Sequence, residues 1–305
     1  VKQEIIMRRI TLLALIIGFS IPLLTPSRAQ AQNPRTWVSG IGDDSSVNCA
    51  RTAPCKTFPT AMLKTADGGE INCADSGSFG SININKSLTI DCQELHGSIL
   101  AAGTYGVTIN ALNITVNLRN LNLIGVGTGT IGINILNGAR INVENVTIEG
   151  FTQQGVFDAR GGFGGMLTLK NTTVRNNIGA GVKAFSPGQS GTVLENVHLV
   201  SNGYGVHAGN GNNVILNRSV VSTNTTAGIQ SDAGSQIVVD STVISHNTTG
   251  ISPQGSVRLT NSDIMFNGTG ISGVSTSYGN NRIFGNISAG TAPGVGAVST
   301  DHGQQ

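Results

Sequence analysis

"NTTVRNNIGAGV", Asn171 to Val182, is almost all Asn, Thr and Gly, with Val174 and Ile178 the large apolar side chains before Val182. Related stretches begin at Asn196, "NVHLVSNGYGV", and at Asn261, "NSDIMFNGTGI". A glycine followed by Val or Ile recurs at Gly106, Gly132, Gly155, Gly181, Gly205, Gly228, Gly250 and Gly270, at intervals of 26, 23, 26, 24, 23, 22 and 20 residues. Each interval holds three short segments of period-2 alternation, in which Leu167, Leu169, Val174 and Val182 mark the recurrent apolar positions of one unit. Three short strands in a repeat of this length predict one coil of a parallel β-helix. A sandwich or barrel also gives strands every 8–12 residues or so, but it does not require the same turn residue at the same phase of every third strand. The Leu spacing of leucine-rich repeats is absent.

Such a coil cannot bury its inward side chains alone, and stacking closes a continuous core. Two asparagine columns mark turns: Asn120, Asn145, Asn171, Asn196 and Asn261, with Arg218 and Ser241 as departures, and Asn177, Asn202, Asn224, Asn247 and Asn267. Asn tolerates left-handed backbone and its amide can bond the amide of the next coil. Glycine at the third corner is expected to supply a positive φ. An outward column, Arg119, Glu144, Lys170, Glu195, Asn217, Asp240 and Thr260, alternates in charge and reads as structural rather than catalytic.

The chain has 305 residues. Met7, Arg8 and Arg9 precede the 15-residue apolar run Ile10–Leu24, and Ala29 and Ala31 supply an A-x-A signal. This predicts a secretory signal peptide over 1–31, the run being shorter than the ~20 residues of a spanning helix. Lys2, Arg8, Arg9 and Arg28 against Glu4 take the net charge from +2 to −1 once that segment is removed, so charge gives no argument for nucleic acid and no membrane span is expected in the remainder. Charged residues are 11%, against about 25% in ordinary globular chains. Abundant β-branched residues argue against disorder. A loop and helical cap are expected over 32–70, with Phe58, Ala61, Met62 and Ala66 at helical spacing before Gly68-Gly69. Coils are expected over 71–286 and a loose tail over 287–305.

Four cysteines suit an exported protein. Cys49 and Cys55 share a polar loop, while Cys73 and Cys92 end the similar strands "GEINC" and "LTIDC" and fall in one inward column. The pairing 49–55 and 73–92 is expected, with two other connectivities open; a four-cysteine zinc site lacks the C-x₂-C pair.

The opening "RTWVSGIGDDSSVNCARTAPCKTFPTAMLKTADGGEI", from Arg35, followed by these coils resembles secreted bacterial right-handed parallel β-helix repeat proteins of the pectate-lyase-like superfamily. The resemblance covers about Arg35 to Asn286. It implies an all-β, right-handed β-helix, a secreted or periplasmic setting and often a carbohydrate ligand, but no reaction. The N-T-D, D-D, H-G and R-I-K series of polygalacturonase-like enzymes is missing; "DD" occurs only at Asp43-Asp44, before the coils. The W-I-D-H and R-x-P-x-x-R elements of pectate lyases and their acidic calcium cluster are missing too.

Candidate chemistry is therefore sought on the column after each Gly-Val/Ile pair, Thr108, Asn134, Phe157, Lys183, His207, Gln230, Ser252 and Ser272, which is expected to point outward. Phe157, Lys183, His207 and Gln230 are neighbours there, with Asp232 two residues beyond Gln230. Phe163, Phe185 and Tyr204 concentrate in the same region of a chain with 4% aromatics. The Gly-rich insertions from Asp158 and Phe185 are placed to wall a groove. Aromatic faces with Lys, His and amide donors suit a sugar, so Phe157, Tyr204, Gln230 and Asp232 are candidate ligand-binding residues and Lys183 and His207 candidate bases. An inverting hydrolase needs two carboxylates about 6.5–9.5 Å apart, and Asp158 and Asp232 lie three coils apart. No cofactor is expected; calcium at Asp43-Asp44 competes with a plain turn. His198 and His246 are expected in isolation and solvated, and His302 falls in the tail. The sequence thus predicts an exported protein that binds an extracellular or cell-wall polysaccharide, with cleavage an open extension; the alternative is a non-catalytic structural or adhesive surface protein.

Overall fold

The computed structural model describes residues 32–296, apart from 94, 96, 162, 163 and 187–189. The signal segment 1–31, Phe163, His302 and the tail beyond 296 lie outside the described residues.

The chain is a right-handed parallel β-helix with three sheets. The first sheet has twelve strands, from Asn33–Val38 and Thr65–Cys73 through Arg140–Glu144, Met166–Lys170, Gly191–Glu195, Asn213–Asn217 and Gln236–Asp240 to Gly294–Val295. The second has ten, among them Val107–Ile109, Ile133–Ile135, Val156–Asp158, Ala180–Ala184, Tyr204–Ala208 and Ala227–Ser231. The third also has ten, among them Thr147–Glu149, Thr173–Arg175, His198–Val200 and Val220–Ser222. Within each sheet, interior strands pair in parallel with their equivalents one coil earlier and one coil later, in constant register through the coils of the site. Period-2 alternation therefore sends one column of each sheet inward: Val182, Val206 and Ile229 from the second sheet and Val174, Leu199 and Val221 from the third are all 0% exposed. The quoted stretch is polar because it needs a large side chain only at such inward points, and Ile178 at a turn is left exposed.

The two asparagine columns do different work. In the first, Asn120, Asn145, Asn171, Asn196 and Asn261 all adopt positive φ, as do Arg218 and Ser241, and their exposed amides bond between coils, Asn196 Nδ2 to Asn171 Oδ1 at 2.8 Å. The second column is buried. There Asn177 Nδ2 donates to Asn202 Oδ1 at 2.9 Å, and Asn224 donates both to Asn247 Oδ1 at 2.8 Å and to the Leu199 carbonyl at 3.1 Å. In this column the left-handed residue is the one before the asparagine: Asn176, Ser201, Thr223, His246 and Phe266. The expectation for the glycine corner also needs correction, since none of Gly155, Gly181, Gly205, Gly228, Gly250 and Gly270 has positive φ. Glycine is required there for space: a Cβ on Gly205 would meet Val221 Cγ1 at 2.4 Å, the Gly228 carbonyl oxygen at 2.5 Å and Asn224 Nδ2 at 3.2 Å. The corner glycine lets the chain press onto the next coil and its buried amide.

At the N-terminal end, helix α1, Phe58–Lys64, has Thr57 as its N-cap and buries Phe58, Ala61 and Met62. Phe58 packs edge-on against Phe79, ring centroids 5.2 Å apart. The helix is shorter than the spacing predicts: Ala66 already lies in strand Thr65–Cys73, which pairs with Asn33–Val38 and Leu88–Asp91. Sheet pairing wins because Thr65 bonds inward to Thr36 at 2.8 Å and the strand gains partners on both edges. Disulfides join Cys49 to Cys55 and Cys73 to Cys92, with Cα separations of 4.9 and 4.7 Å. Beyond Asn286 the ladder continues through Ser288–Gly290 and Gly294–Val295, both exposed, where a loose tail is expected from 287. The outward charged column of the first sheet is in register as read, with Arg119 and Glu144 3.7 Å apart. Among the described residues, no helix is long and apolar enough to cross a membrane.

Candidate functional site

The second sheet presents one outward column on successive coils, Phe157 beside Lys183, Lys183 beside His207, and His207 beside Gln230. Strand alternation places them: Val156, Val182, Val206 and Ile229 point inward and fix the next residue outward. Parallel strands ~4.8 Å apart bring these side chains within reach of one another.

Lys183 Nζ lies 5.6 Å from the Phe157 ring centroid and 4.6 Å from that of Phe185. Both lie within the ~6 Å range of a cation–π contact, and Lys183 makes no ion pair among the described residues. Phe185 also meets the His207 ring edge-on at 5.6 Å, and Tyr204 lies at 5.2 Å from the same imidazole. His207 Nε2 is 3.1 and 3.0 Å from the two Asp232 carboxylate oxygens, and Gln230 Nε2 donates to Asp232 Oδ1 at 3.4 Å. Asp232 follows strand Ala227–Ser231 and reaches back one coil, so the carboxylate orients the imidazole and leaves Nδ1 for an incoming group. His207 and Asp232 side chains are 17% and 31% exposed, half-shielded yet reachable from solvent.

The structure thus brings together Phe157, Lys183, Tyr204, His207, Gln230 and Asp232. Phe185 belongs with them and was signalled only by the local concentration of aromatics. Its ring lies over Gly209, where a Cβ would come within 2.5 Å of it. Chemically, the cluster offers flat apolar faces, one unpaired ammonium, and an imidazole–carboxylate pair able to exchange a proton.

The structure also places the other residues singled out in the sequence. Asp158 is not a surface carboxylate: it points into the core at 0% exposure and pairs with Arg160, itself 2% exposed, through Nε to Oδ1 at 2.8 Å. It cannot act with Asp232. Asp43 and Asp44 bond to local groups, as in a plain turn. Asp43 accepts from Ser45 N and Oγ at 2.9 and 2.7 Å, which holds its carboxyl below the usual range, while Asp44 accepts from the backbone N–H of Lys56 and Thr57, each at 2.9 Å. His246 is not isolated, since its ring lies 5.6 Å from that of Phe266. Among the described residues, no group of three or more His, Cys, Asp or Glu side chains is placed to hold a metal ion.

A three-sheet parallel solenoid with a polar–aromatic cluster on one outer face defines the class of protein. The model of the family described as right handed beta helix region matches residues 131–300, more than half of the sequence, and the chain belongs to that family. No curated protein matches the sequence. Among solved structures, a pectate lyase, Pel9A, aligns with a TM-score of 0.56 at 15% identity over 87% of this chain and 75% of its own. The A-module of mannuronan C-5 epimerase AlgE4 from Azotobacter vinelandii aligns with a TM-score of 0.54 at 17% identity over 77% of this chain and 75% of its own. At these identities the likeness is one of fold.

Proposed function

We propose that the protein is exported and binds an extracellular or cell-wall polysaccharide on the outer face of its second sheet. The observation that carries this reading is the Phe157–Lys183–Phe185–His207–Tyr204 surface with Asp232 behind the imidazole. Sugar rings stack on aromatic faces, their hydroxyls and carboxylates accept from the Lys183 ammonium, and their hydroxyls can donate to His207 Nδ1. Elsewhere several outward charges are paired across coils, as between Arg175 and Glu149 at 2.7 Å. The two disulfides suit an oxidising compartment, and the names of the two structural neighbours refer to pectate and to mannuronan.

Processing of the bound glycan is the extension of this reading. His207 Nδ1 would take the proton beside a uronate carboxylate, the Lys183 ammonium would stabilise the negative charge that develops there, and the electron pair would form a double bond as the neighbouring glycosidic oxygen leaves and is protonated. Residues 32–305, incubated with a panel of plant, algal and bacterial polysaccharides with and without calcium, test it. The readouts are retention on the polymer, absorbance of unsaturated uronates and new reducing ends. Retention is the expected result. Absorbance together with new ends would make the protein a lyase, and retention without turnover would make it a binding module. Absence of retention across the panel would overturn the reading.

A further inference from the structure

A second feature lies on the coils just N-terminal to this surface. Where the chain leaves the second sheet, the turns after Val107–Ile109 and Ile133–Ile135, together with Arg160 and Gly164, border a cavity of about 190 Å³. Leu112, Asn113, Asn137, Gly138 and Ala139 complete its lining. Arg160 is 2% exposed.

Packing alone does not account for this arginine. Its partner Asp158 sits in an inward position whose neighbours one coil either side are Ile135 and Ala184, and an apolar residue would fill it without the cost of burying two charges. The guanidinium has five N–H groups. Three are engaged, two by Asp158 and one by the Gly138 carbonyl at 3.1 Å. Two remain as donors on a side chain that lines the cavity. Asn137 donates its amide to Asn110 Oδ1 at 2.8 Å, which keeps its own Oδ1 as an acceptor. Leu112, 68% exposed, supplies an apolar wall. Asp158 neutralises the one charge, so the cavity pairs fixed donors and an acceptor with an apolar face and no net charge.

We propose that this cavity is a second subsite, taking one uncharged sugar ring of the same polysaccharide whose neighbouring residues rest on Phe157, Lys183 and His207. The inference rests on the function proposed above. The volume is below the ~300–1,000 Å³ typical of pockets for drug-sized ligands, and suits one ring. From the coil of Asn137 to that of His207 is three coil steps, about 14 Å at ~4.8 Å each. One glycan chain laid along the solenoid axis therefore engages both places, and the second contact becomes intramolecular.

The test uses oligosaccharides prepared by partial acid hydrolysis of whichever polymer the panel retains, sorted by length and titrated by calorimetry. Wild-type affinity is expected to step up by about 10²-fold once the chain is long enough to span both places. Leu112→Trp and Ala139→Trp, two exposed positions at the cavity mouth, are expected to abolish that step and leave the shortest binding oligosaccharide unaffected. A step that survives both variants, or no step in the wild type, overturns the subsite while the function stands. Failure of every polymer to bind the wild type overturns both.

Discussion

The buried amide ladder should carry much of the stability that the sparse apolar content of each coil leaves short, and Asn224→Ala tests this. Asn224 is 1% exposed. Its Nδ2 bonds Asn247 Oδ1 at 2.8 Å and the Leu199 carbonyl at 3.1 Å, and its Oδ1 accepts from the Asn202 N–H at 3.0 Å. Truncation loses three buried bonds. Asn247 Oδ1 keeps a donor, the Asn224 backbone N–H at 3.0 Å, whereas the Asn202 N–H is left without an acceptor. Two lost bonds at roughly 1 kcal/mol each and one orphaned buried donor at about 1–3 kcal/mol give about 3–5 kcal/mol. The control is Asn196→Ala in the exposed ladder, where water replaces the single bond to Asn171 and the left-handed backbone adds a penalty, for about 1–2 kcal/mol. Urea unfolding followed by circular dichroism gives the global difference. Because stacked repeats can lose cooperativity, amide exchange at Asn202 gives the local one. Equal losses in the two variants, or unchanged exchange at Asn202, would refute the reasoning.

Two further outcomes follow from the same geometry. Gly205→Ala should destabilise by about 1–3 kcal/mol or more because its Cβ meets backbone, whereas Gly161→Ala, with nothing within 4 Å and no positive φ, should be neutral or slightly stabilising; thermal midpoints compare the two. Asp43 has its folded pKa lowered below the ordinary aspartate value by the Ser45 bonds, so its contribution is present above the ordinary value and is lost as pH falls through the lower folded one; Asp43→Asn should flatten this part of the acid-unfolding profile, read by fluorescence of Trp37.

Much of the solenoid was legible because a coil repeats its chemistry at each corner, and eight successive glycines in phase leave little else for the chain to form. The reasons behind the corners were less legible. Glycine at Gly205 is compatible both with positive φ and with close approach, and only the register of the next coil decides between them. The left-handed residues of the buried ladder, Asn176, Ser201, Thr223, His246 and Phe266, share no chemistry, since the stack dictates their backbone and their side chains face solvent or one another. Alternation from Val156 and Val206 was enough to place Phe157 and His207 outward. The same alternation puts Asp158 inward, a position its charge obscured until Arg160 was seen beside it. The contact from Asp232 back to His207 depends on the chain turning after Ser231, which no local pattern encodes.

The central claim is that glycan recognition lies on the outer face of the second sheet. The most direct measurement compares wild type with Lys183→Ala/His207→Ala for affinity to the retained polymer and for thermal midpoint. The account predicts that the double variant loses binding at an unchanged midpoint, because both side chains project from a core they do not support. Undiminished binding by a folded double variant would contradict it and move the site elsewhere on the solenoid.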